Sequence, residues 1–124
     1  MSELIFNNQQ LENKEQENGE GNIEYKYKLV KITRLKINKL TTQMLYRLIQ
    51  GNGKAEYYLG IMDNGKVIGL SEGELYTTIN CILDCLYKLD AYYTYLMIYN
   101  QNKNKYCIHI KIKIDKLPNT KIDL

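Results

Sequence analysis

The sequence lacks the features that would carry the chain into or across a membrane. No apolar run approaches the roughly 18 to 20 residues that a membrane span needs. The N-terminal stretch has neither the basic start nor the long apolar segment of a signal peptide. Cysteine is scarce and odd in number, at three residues, which favours reduced thiols over a disulfide framework. These absences predict a cytosolic or nuclear protein with no membrane partner, and we favour the cytoplasmic location.

A complete phosphate-binding loop is also absent. The nearest match is GNGK, residues 51–54, but its glycines follow a predicted helix and precede a predicted strand. The preceding helix would therefore present the negative end of its dipole, which repels an anion. Ala55 stands where a Walker loop needs a magnesium-binding hydroxyl. We interpret GNGK as a helix C-cap at Gly51 followed by a turn, and we expect no GTP or ATP hydrolysis by this chain alone.

Cysteine and histidine offer two further kinds of site. Cys81 and Cys85 lie four residues apart on a predicted helix, and Cys107 and the only histidine, His109, lie two apart on a predicted strand. Together they could ligate zinc, and Cys107 with His109 could form a nucleophilic pair. Helices covering the apolar sheet face would place the two pairs on different sides. On a helical wheel Cys81 falls well away from the buried stripe and Cys85 on its margin. We therefore interpret these residues as flanking groups and expect no catalytic, cofactor-binding or metal-binding residue.

What the chain does contain is enough for one domain with one core, at 124 residues. Residues 1–22 are polar and carry a net charge of −4, and they are predicted to be a disordered acidic tail. The remaining residues carry a net charge of +7. We expect an α+β domain over residues 23–114. Residues 115–124, which contain the single proline, Pro118, are predicted to be an exit linker.

Hydrophobic periodicity predicts seven elements in the order β-α-β-β-α-β-β. Asn64-Gly65 predicts a β-hairpin with a type I′ turn, and Ser71 with Glu74 predicts a capping box that opens a long helix. The expected fold class is α+β, with a mostly antiparallel sheet, two helices on one face and a ferredoxin-like arrangement. The predicted elements are a strand over 23–30, a helix from about Asn38 or Thr41 to Gln50, hairpin arms within 55–70, a helix over 71–90, and strands over 91–99 and 105–114.

Lysines alternate with apolar residues on the first and last predicted strands. Lys26 and Lys28 on the first strand and Lys111 and Lys113 on the last could line one open sheet surface. RNA-binding sheets use such a surface, with lysines on phosphates and aromatic side chains under bases. The tyrosines of the first strand alternate with its lysines, however, and should point the other way. A solvated surface is the favoured interpretation, and a stand-alone RNA-binding module is the alternative.

Three matched segments, EYKYKLV (24–30), LTTQMLYRLIQGNGKAEYYLGIMDNGKVIGLSEGEL (40–75) and the helix that follows, give the chain a resemblance to a known domain. It resembles the region preceding the GTPase domain in the GTP-binding protein 1 and 2 family, which are translational GTPases similar to elongation factor 1-alpha and elongation factor Tu. Tyr46 departs from the family, which usually has tryptophan there, and Lys54 stands where an acidic residue is common. The most specific matching residues are Thr42, Gln43, Met44, Arg47, Leu48, Gly53, Ala55, Tyr57 or Tyr58, Gly60, Asp63, Asn64, Gly65, Gly69, Leu70 and Glu74.

The resemblance implies that the chain is a non-catalytic N-terminal domain of a larger GTPase acting in translation or mRNA turnover. GTP and magnesium would bind in the GTPase domain, which should begin where this sequence ends at Leu124. The implied partners are that GTPase domain, with RNA, the ribosome or tRNA as further candidates. None of the family's GTP-contacting motifs falls within these residues, so the resemblance assigns no catalytic residue here.

Overall fold

The computed structural model describes residues 4–30 and 33–118, which form a five-stranded sheet with two helices. The strand order across the sheet is β1-β4-β5-β3-β2. The two outer pairs, β1 with β4 and β2 with β3, are parallel, whereas β5 is antiparallel to both of its neighbours. The elements are β1 Leu4–Asn7, β2 Ile23–Lys26, α1 Arg34–Gln50, β3 Lys54–Leu59, α2 Glu72–Leu89, β4 Tyr92–Asn100 and β5 Tyr106–Lys113.

The α+β class is confirmed, but the predicted topology is wrong. The element order is β-β-α-β-α-β-β, and the sheet is mixed and not ferredoxin-like. The mixed character arises because β2, α1 and β3 form a crossover unit, which joins parallel neighbours. An N-terminal strand is added, and one arm of the predicted hairpin does not join the sheet ladder.

The chain does turn at Asn64-Gly65, although the turn is not type I′. The N–H of Gly65 donates to the carbonyl of Met62 at 2.8 Å, and Gly65 has φ +89°, whereas Asn64 does not have positive φ. This is the type I turn with a following left-handed glycine that three-residue hairpin loops use. Beyond it, residues 66–70 make only isolated bridges, Val67 to Ile61 and Leu70 to Tyr106.

The prediction of a disordered tail is wrong for its described part, residues 4–22. β1 pairs in parallel with the outer edge of β4, in a register that places Phe6 opposite Ile98. Residues 8–22, which we call the strap, then run from the β1 edge of the sheet to the β2 edge. Composition did not reveal this order because the strap is held mainly by hydrogen bonds to its backbone and by a few side chains, with Leu11 its buried apolar residue.

Both helices begin at side-chain caps. Thr33 caps α1, so this helix starts earlier than its apolar spacing predicted. The capping box of Ser71 and Glu74 at α2 is confirmed, with each side chain bonded to the backbone N–H of the other residue. The Ser71 N–H, and then the Lys28 ammonium, lower the pKa of Glu74 to about 2. Gly51 is the C-cap of α1, as predicted.

One hydrophobic core joins both helices to one face of the sheet. Cys81 and Cys85 are buried in it, so their placement as flanking thiols is wrong. α1 packs against α2 as well as against the sheet, and this widens the buried surface of α2 beyond one stripe. The predicted linker is described only to Pro118, and its residues 119–124 lie outside the described residues. In the described ranges, neither helix is long and apolar enough to cross a membrane.

Candidate functional site

The sheet face opposite the helices, which we call the open face, carries the polar residues of the strands. The cross-strand register places Tyr92 beside Lys113 and Tyr95 beside Lys111, so β4 contributes tyrosines to it. The alternate residues of β3 and β5 are buried under the helices. The open face is formed on these two strands by Lys54, Glu56, Tyr58, Cys107, His109, Lys111 and Lys113.

The strap covers one end of the open face. The N–H of Lys14 donates to the carbonyl of Gly65 at 2.8 Å, and the N–H of Glu17 donates to that of Asp63 at 2.7 Å. The Lys14 ammonium lies 4.3 Å above the centre of the Tyr58 ring, a cation–π contact. The covered end is the one with the 62–65 turn. The opposite end, where β3 begins and β5 ends, carries lysines.

His109 occupies the middle of the open face and is almost enclosed. Its ring stacks on that of Tyr58, with the two centroids 4.2 Å apart. The Tyr95 ring packs against it in a T-shaped arrangement, with the centroids 5.3 Å apart. Nε2 lies 2.8 Å from Oε1 of Glu56. Burial lowers the pKa of His109, and the Glu56 carboxylate partly offsets this effect. The arrangement suits a neutral imidazole that donates to Glu56 and ties β5 to β3.

Cys107 and His109 do not form a catalytic pair in this arrangement. The Cys107 thiol is fully buried and points to the carbonyl of Gly60, 3.7 Å away. Burial raises the pKa of Cys107 to about 12, so the thiolate needed for nucleophilic attack is scarce at neutral pH. Cys81 and Cys85 lie on α2, on the other side of the sheet. Within residues 4–30 and 33–118, no three His, Cys, Asp or Glu residues are grouped to hold a metal ion.

The four lysines that the sequence assigned to one surface lie on two. Lys26 is in register with Leu59, which is buried under the helices, and lies 3.8 Å from the Glu24 carboxylate. Lys28 pairs with Glu74 at the start of α2, at 3.0 Å. Lys111 and Lys113 are on the open face. The expectation of a single surface is wrong because the alternation of β2 runs opposite to the prediction.

A basic groove remains at the uncovered end of the open face. Lys54 stands directly opposite Lys113 in the β3–β5 ladder, and Lys111 stands opposite Glu56. Lys54 and Lys111 are exposed, and Lys113 is partly exposed. The groove has a volume of about 420 Å³ and is lined by Asn22, Lys54, Ala55, Glu56, Thr94, Lys111, Ile112 and Lys113. We call it the basic groove. The sequence analysis did not place Lys54 on this surface, although alternation along β3 is a signal for it.

Arg47 holds the far end of the strap from inside the fold. Its side chain is 2% exposed, and Nε donates to the buried carboxylate of Glu24 at 2.8 Å. Nη1 donates to three strap carbonyls, those of Asn18, Glu20 and Gly21, at 3.1, 3.2 and 2.9 Å. The sequence did not predict this network, although an arginine on the same helical stripe as Met44 and Leu48 is a signal for it.

The amides of GNGK are all used within the protein. The N–H groups of Gly51, Asn52 and Gly53 donate to the last turn of α1, and that of Lys54 donates to Gly51. A phosphate loop needs such groups free and converging on an anion. The C-cap interpretation of GNGK therefore has a direct structural basis.

A second, larger cavity of about 870 Å³ lies beside the strap. Its walls are mostly amide and lysine side chains from the strap and from the loop between β4 and β5. The Gln101 amide group closes one wall by bonding to both the N–H and the carbonyl of Leu11, at 2.5 and 3.1 Å. Its titratable lining residues are Glu12, Lys103 and Lys105, and we assign this cavity no chemistry.

Comparison with known proteins relates part of this α+β domain to part of a GTP-binding protein. GTP-binding protein 2 of mouse and of human are each 40% identical to it over 77 residues. The match covers 62% of this chain but only 13% of either protein. The resemblance is thus confirmed for a shared region, while the position of that region before a GTPase domain stays a prediction.

A second relative is shorter and covers more of the chain. Uncharacterized protein R625 of Acanthamoeba polyphaga mimivirus is 31% identical over 102 residues, which is 82% of this chain. The match spans about half of that protein, at 54% of its length. No protein-family model matches the chain.

Proposed function

We propose that the chain is a non-catalytic accessory domain that precedes the GTPase domain of a translational GTPase. The observation that carries the proposal is the 40% identity to GTP-binding protein 2 over 77 residues. In the proposed full-length protein, the GTPase domain binds GTP and magnesium, and this domain packs on it or contacts RNA, the ribosome or tRNA. The protein would act in the cytoplasm, in translation or mRNA turnover.

Two structural observations support a non-catalytic role. The only phosphate-loop-like stretch, GNGK, has its backbone amides committed to a helix end. The one Cys–His combination on a strand has its thiol buried and its pKa raised to about 12. Both observations favour a domain that works through its surface and not through a reaction.

The first test is the coding sequence downstream of residue 124. We expect a Gly-x-x-x-x-Gly-Lys-Ser/Thr loop soon after it, in a strand–loop–helix context. A frame that closes without such a loop would overturn the assignment to a GTPase.

The second test is nucleotide binding by the 124-residue chain itself. We expect no saturable binding of a fluorescent GTP analogue at micromolar concentration, with or without magnesium, because the amides of GNGK are used within the protein. Micromolar binding that is lost in Gly53→Ala and Lys54→Ala would mean that GNGK is a nucleotide site after all. That result would leave the relationship to GTP-binding protein 2 intact and overturn only the C-cap interpretation of GNGK.

The alternative, a stand-alone RNA-binding module, loses its original form because Lys26 and Lys28 do not share a face with Lys111 and Lys113. A smaller basic surface does exist on the open face.

A further inference from the structure

The basic groove contains an arrangement that costs stability. Lys54 and Lys113 are directly opposite in an antiparallel ladder, where facing side chains have their Cβ atoms about 5 Å apart. Like charges in such a pair repel each other. Lys111 lies two residues from Lys113 on the same face, about 7 Å along the strand. Three ammonium groups are therefore held together by regular backbone structure and not by a flexible loop.

Two acidic side chains at the groove accept hydrogen bonds from uncharged neighbours. Glu56, which stands opposite Lys111, turns to His109 instead, at 2.8 Å. Asp115 accepts a hydrogen bond from the Tyr92 hydroxyl at 2.6 Å. The ion pairs found in the described part of the chain use other cations, namely Lys26, Lys28 and Arg47. Hydrogen bonds from uncharged donors do not cancel these two carboxylates, but the three lysines outnumber them and leave a net positive charge for an external anion.

Two tyrosines border these lysines. A bulge in β4 between Tyr93 and Tyr95 shifts the strand by one residue. As a result, both Tyr92, opposite Lys113, and Tyr95, opposite Lys111, lie on the open face. Tyr92 is 37% exposed, and the Lys111 ammonium lies 5.0 Å from the centre of the Tyr95 ring. Bulges often redirect side chains at binding sites.

From this geometry we propose that the basic groove binds single-stranded nucleic acid. Lys54, Lys111 and Lys113 contact consecutive backbone phosphates, and Tyr92 provides a stacking surface for a base. Lysines along a strand with an adjacent exposed aromatic ring are the combination that single-strand binders use. At this end of the face the strap contributes only its last residue, Asn22, to the groove lining. An acidic peptide would satisfy the lysines but would have no use for the ring. The proposal does not depend on the presence of a GTPase domain.

The test is fluorescence anisotropy of the 124-residue chain with labelled oligouridylate and oligothymidylate of about 12 nucleotides. Wild type should bind at about 50 mM salt, and affinity should fall as salt rises. The variant Lys54→Gln/Lys111→Gln/Lys113→Gln should bind at least about tenfold more weakly, and the salt slope should drop by about 2 because three phosphate contacts are lost. Tyr92→Ala should weaken binding at least about fivefold with an unchanged salt slope.

The matched control removes the same charge from the helix side. Lys36→Gln/Lys39→Gln/Lys88→Gln changes three exposed lysines of α1 and α2 and should leave most of the affinity in place. The groove variant should unfold at the same or a higher urea concentration than wild type, since a repulsive pair is removed. Weaker binding then cannot be ascribed to unfolding.

Several outcomes would overturn the proposal. Equal losses in the two triple variants would mean that only net charge attracts the polymer. A duplex that binds as tightly as the single strand would exclude stacking on Tyr92. If polyglutamate bound as tightly as oligouridylate, and the groove variant lost this binding, the groove would be assigned to an acidic protein. A wild-type chain that binds neither oligonucleotide at low salt would also overturn the proposal.

Discussion

The two faces of the sheet are covered in different ways. The helix face is buried by a continuous apolar cluster that includes Met44, Leu48, Tyr57, Ile82 and Ile110. One end of the open face is covered by the strap, which is attached through backbone hydrogen bonds, a cation–π contact and the guanidinium of Arg47. One layer is stabilised by transfer of apolar area from water, and the other by a few directed polar contacts.

This difference predicts how the two faces respond to substitution. An apolar layer distributes its stabilisation over many contacts, so that each residue contributes a part of it. A strap held at a few points should detach when one point is lost, while the helix face stays folded. The predictions below separate these responses, beginning with the residue that belongs to both layers.

Arg47→Met should produce the largest loss. The change removes the partner of the buried Glu24 carboxylate and uncaps three strap carbonyls, so the free energy of unfolding should fall by about 3 to 5 kcal/mol. Urea denaturation followed by circular dichroism measures it. Arg34→Met, at the exposed start of the same helix, should stay within about 0.5 kcal/mol of wild type. A loss below about 1 kcal/mol for Arg47→Met would show that the network contributes little. The double variant Arg47→Met/Glu24→Leu should recover most of the loss, since no charge is then left buried without a partner.

Gly65→Ala should release the strap without unfolding the domain. A Cβ at Gly65 would lie 1.9 Å from the Lys14 carbonyl oxygen, and φ +89° disfavours any L side chain. We expect a loss of about 2 kcal/mol and faster hydrogen exchange at the amides of Lys14 and Glu17, which donate to the turn.

Two glycines of the strap serve as controls that distinguish backbone strain from a steric collision. Gly21 also has positive φ, but a Cβ there meets nothing within 4 Å, so Gly21→Ala should cost only the backbone strain of about 1 kcal/mol. Gly19 has neither constraint, and Gly19→Ala should change nothing. Protected Lys14 and Glu17 amides in Gly65→Ala would contradict the close approach of the strap to the turn.

Glu17→Gln should alter the pH dependence of stability. Burial, and then the neighbouring Glu24 carboxyl, raise the pKa of Glu17 from its usual 4.5 to about 7, against the Tyr25 N–H that lowers it. Between these values the folded state binds more protons than the unfolded state, so this carboxyl lowers stability as pH rises from about 4.5 to 7. After screening by the water that reaches it, the effect should be about 1 kcal/mol.

The measurement is the difference in the free energy of unfolding between Glu17→Gln and wild type at each pH. Glutamine keeps the acceptor for the Tyr25 N–H but does not titrate. His109 acts in the opposite sense, because its lowered pKa makes stability fall as pH drops through about 6.5. That contribution is the same in both proteins and cancels. A difference that stays constant from pH 4 to 8 would mean that Glu17 titrates like an exposed glutamate.

Local signals predicted the helix face well. The capping box at Ser71, the C-cap at Gly51 and the strands β4 and β5 all depend on residues close in sequence, and all are confirmed. The sequence did not reveal β1 or the strap, because parallel pairing with β4 joins residues about 90 positions apart through their backbones. Composition carries no signal for such contacts.

The residues of the candidate site were also predicted only in part. Lys111 and Lys113 were placed on the open face correctly, because β5 alternates clearly between a buried isoleucine row and polar residues. Lys26 was placed on the wrong face, because both faces of β2 are covered. Glu24 contacts Arg47 under the helices, and Tyr25 contacts Tyr58 on the open face. Alternation gives two faces but does not say which one is inside when each is buried.

The smallest expected effect compares two tyrosine hydroxyls, one in each layer. The hydroxyl of Tyr57 is buried in the apolar core and has no hydrogen-bond partner among the described residues, whereas that of Tyr46 donates to the strap carbonyl of Gly19 at 3.0 Å. Tyr57→Phe removes an unsatisfied polar group and should raise the free energy of unfolding by up to about 1 kcal/mol. Tyr46→Phe removes a satisfied one at a partly exposed site and should lower it by about 0.5 kcal/mol. Urea denaturation of the two variants side by side measures both signs. If Tyr57→Phe were the more destabilising of the two, the core would depend on a polar contact at that hydroxyl, and the division between an apolar and a polar layer would not hold.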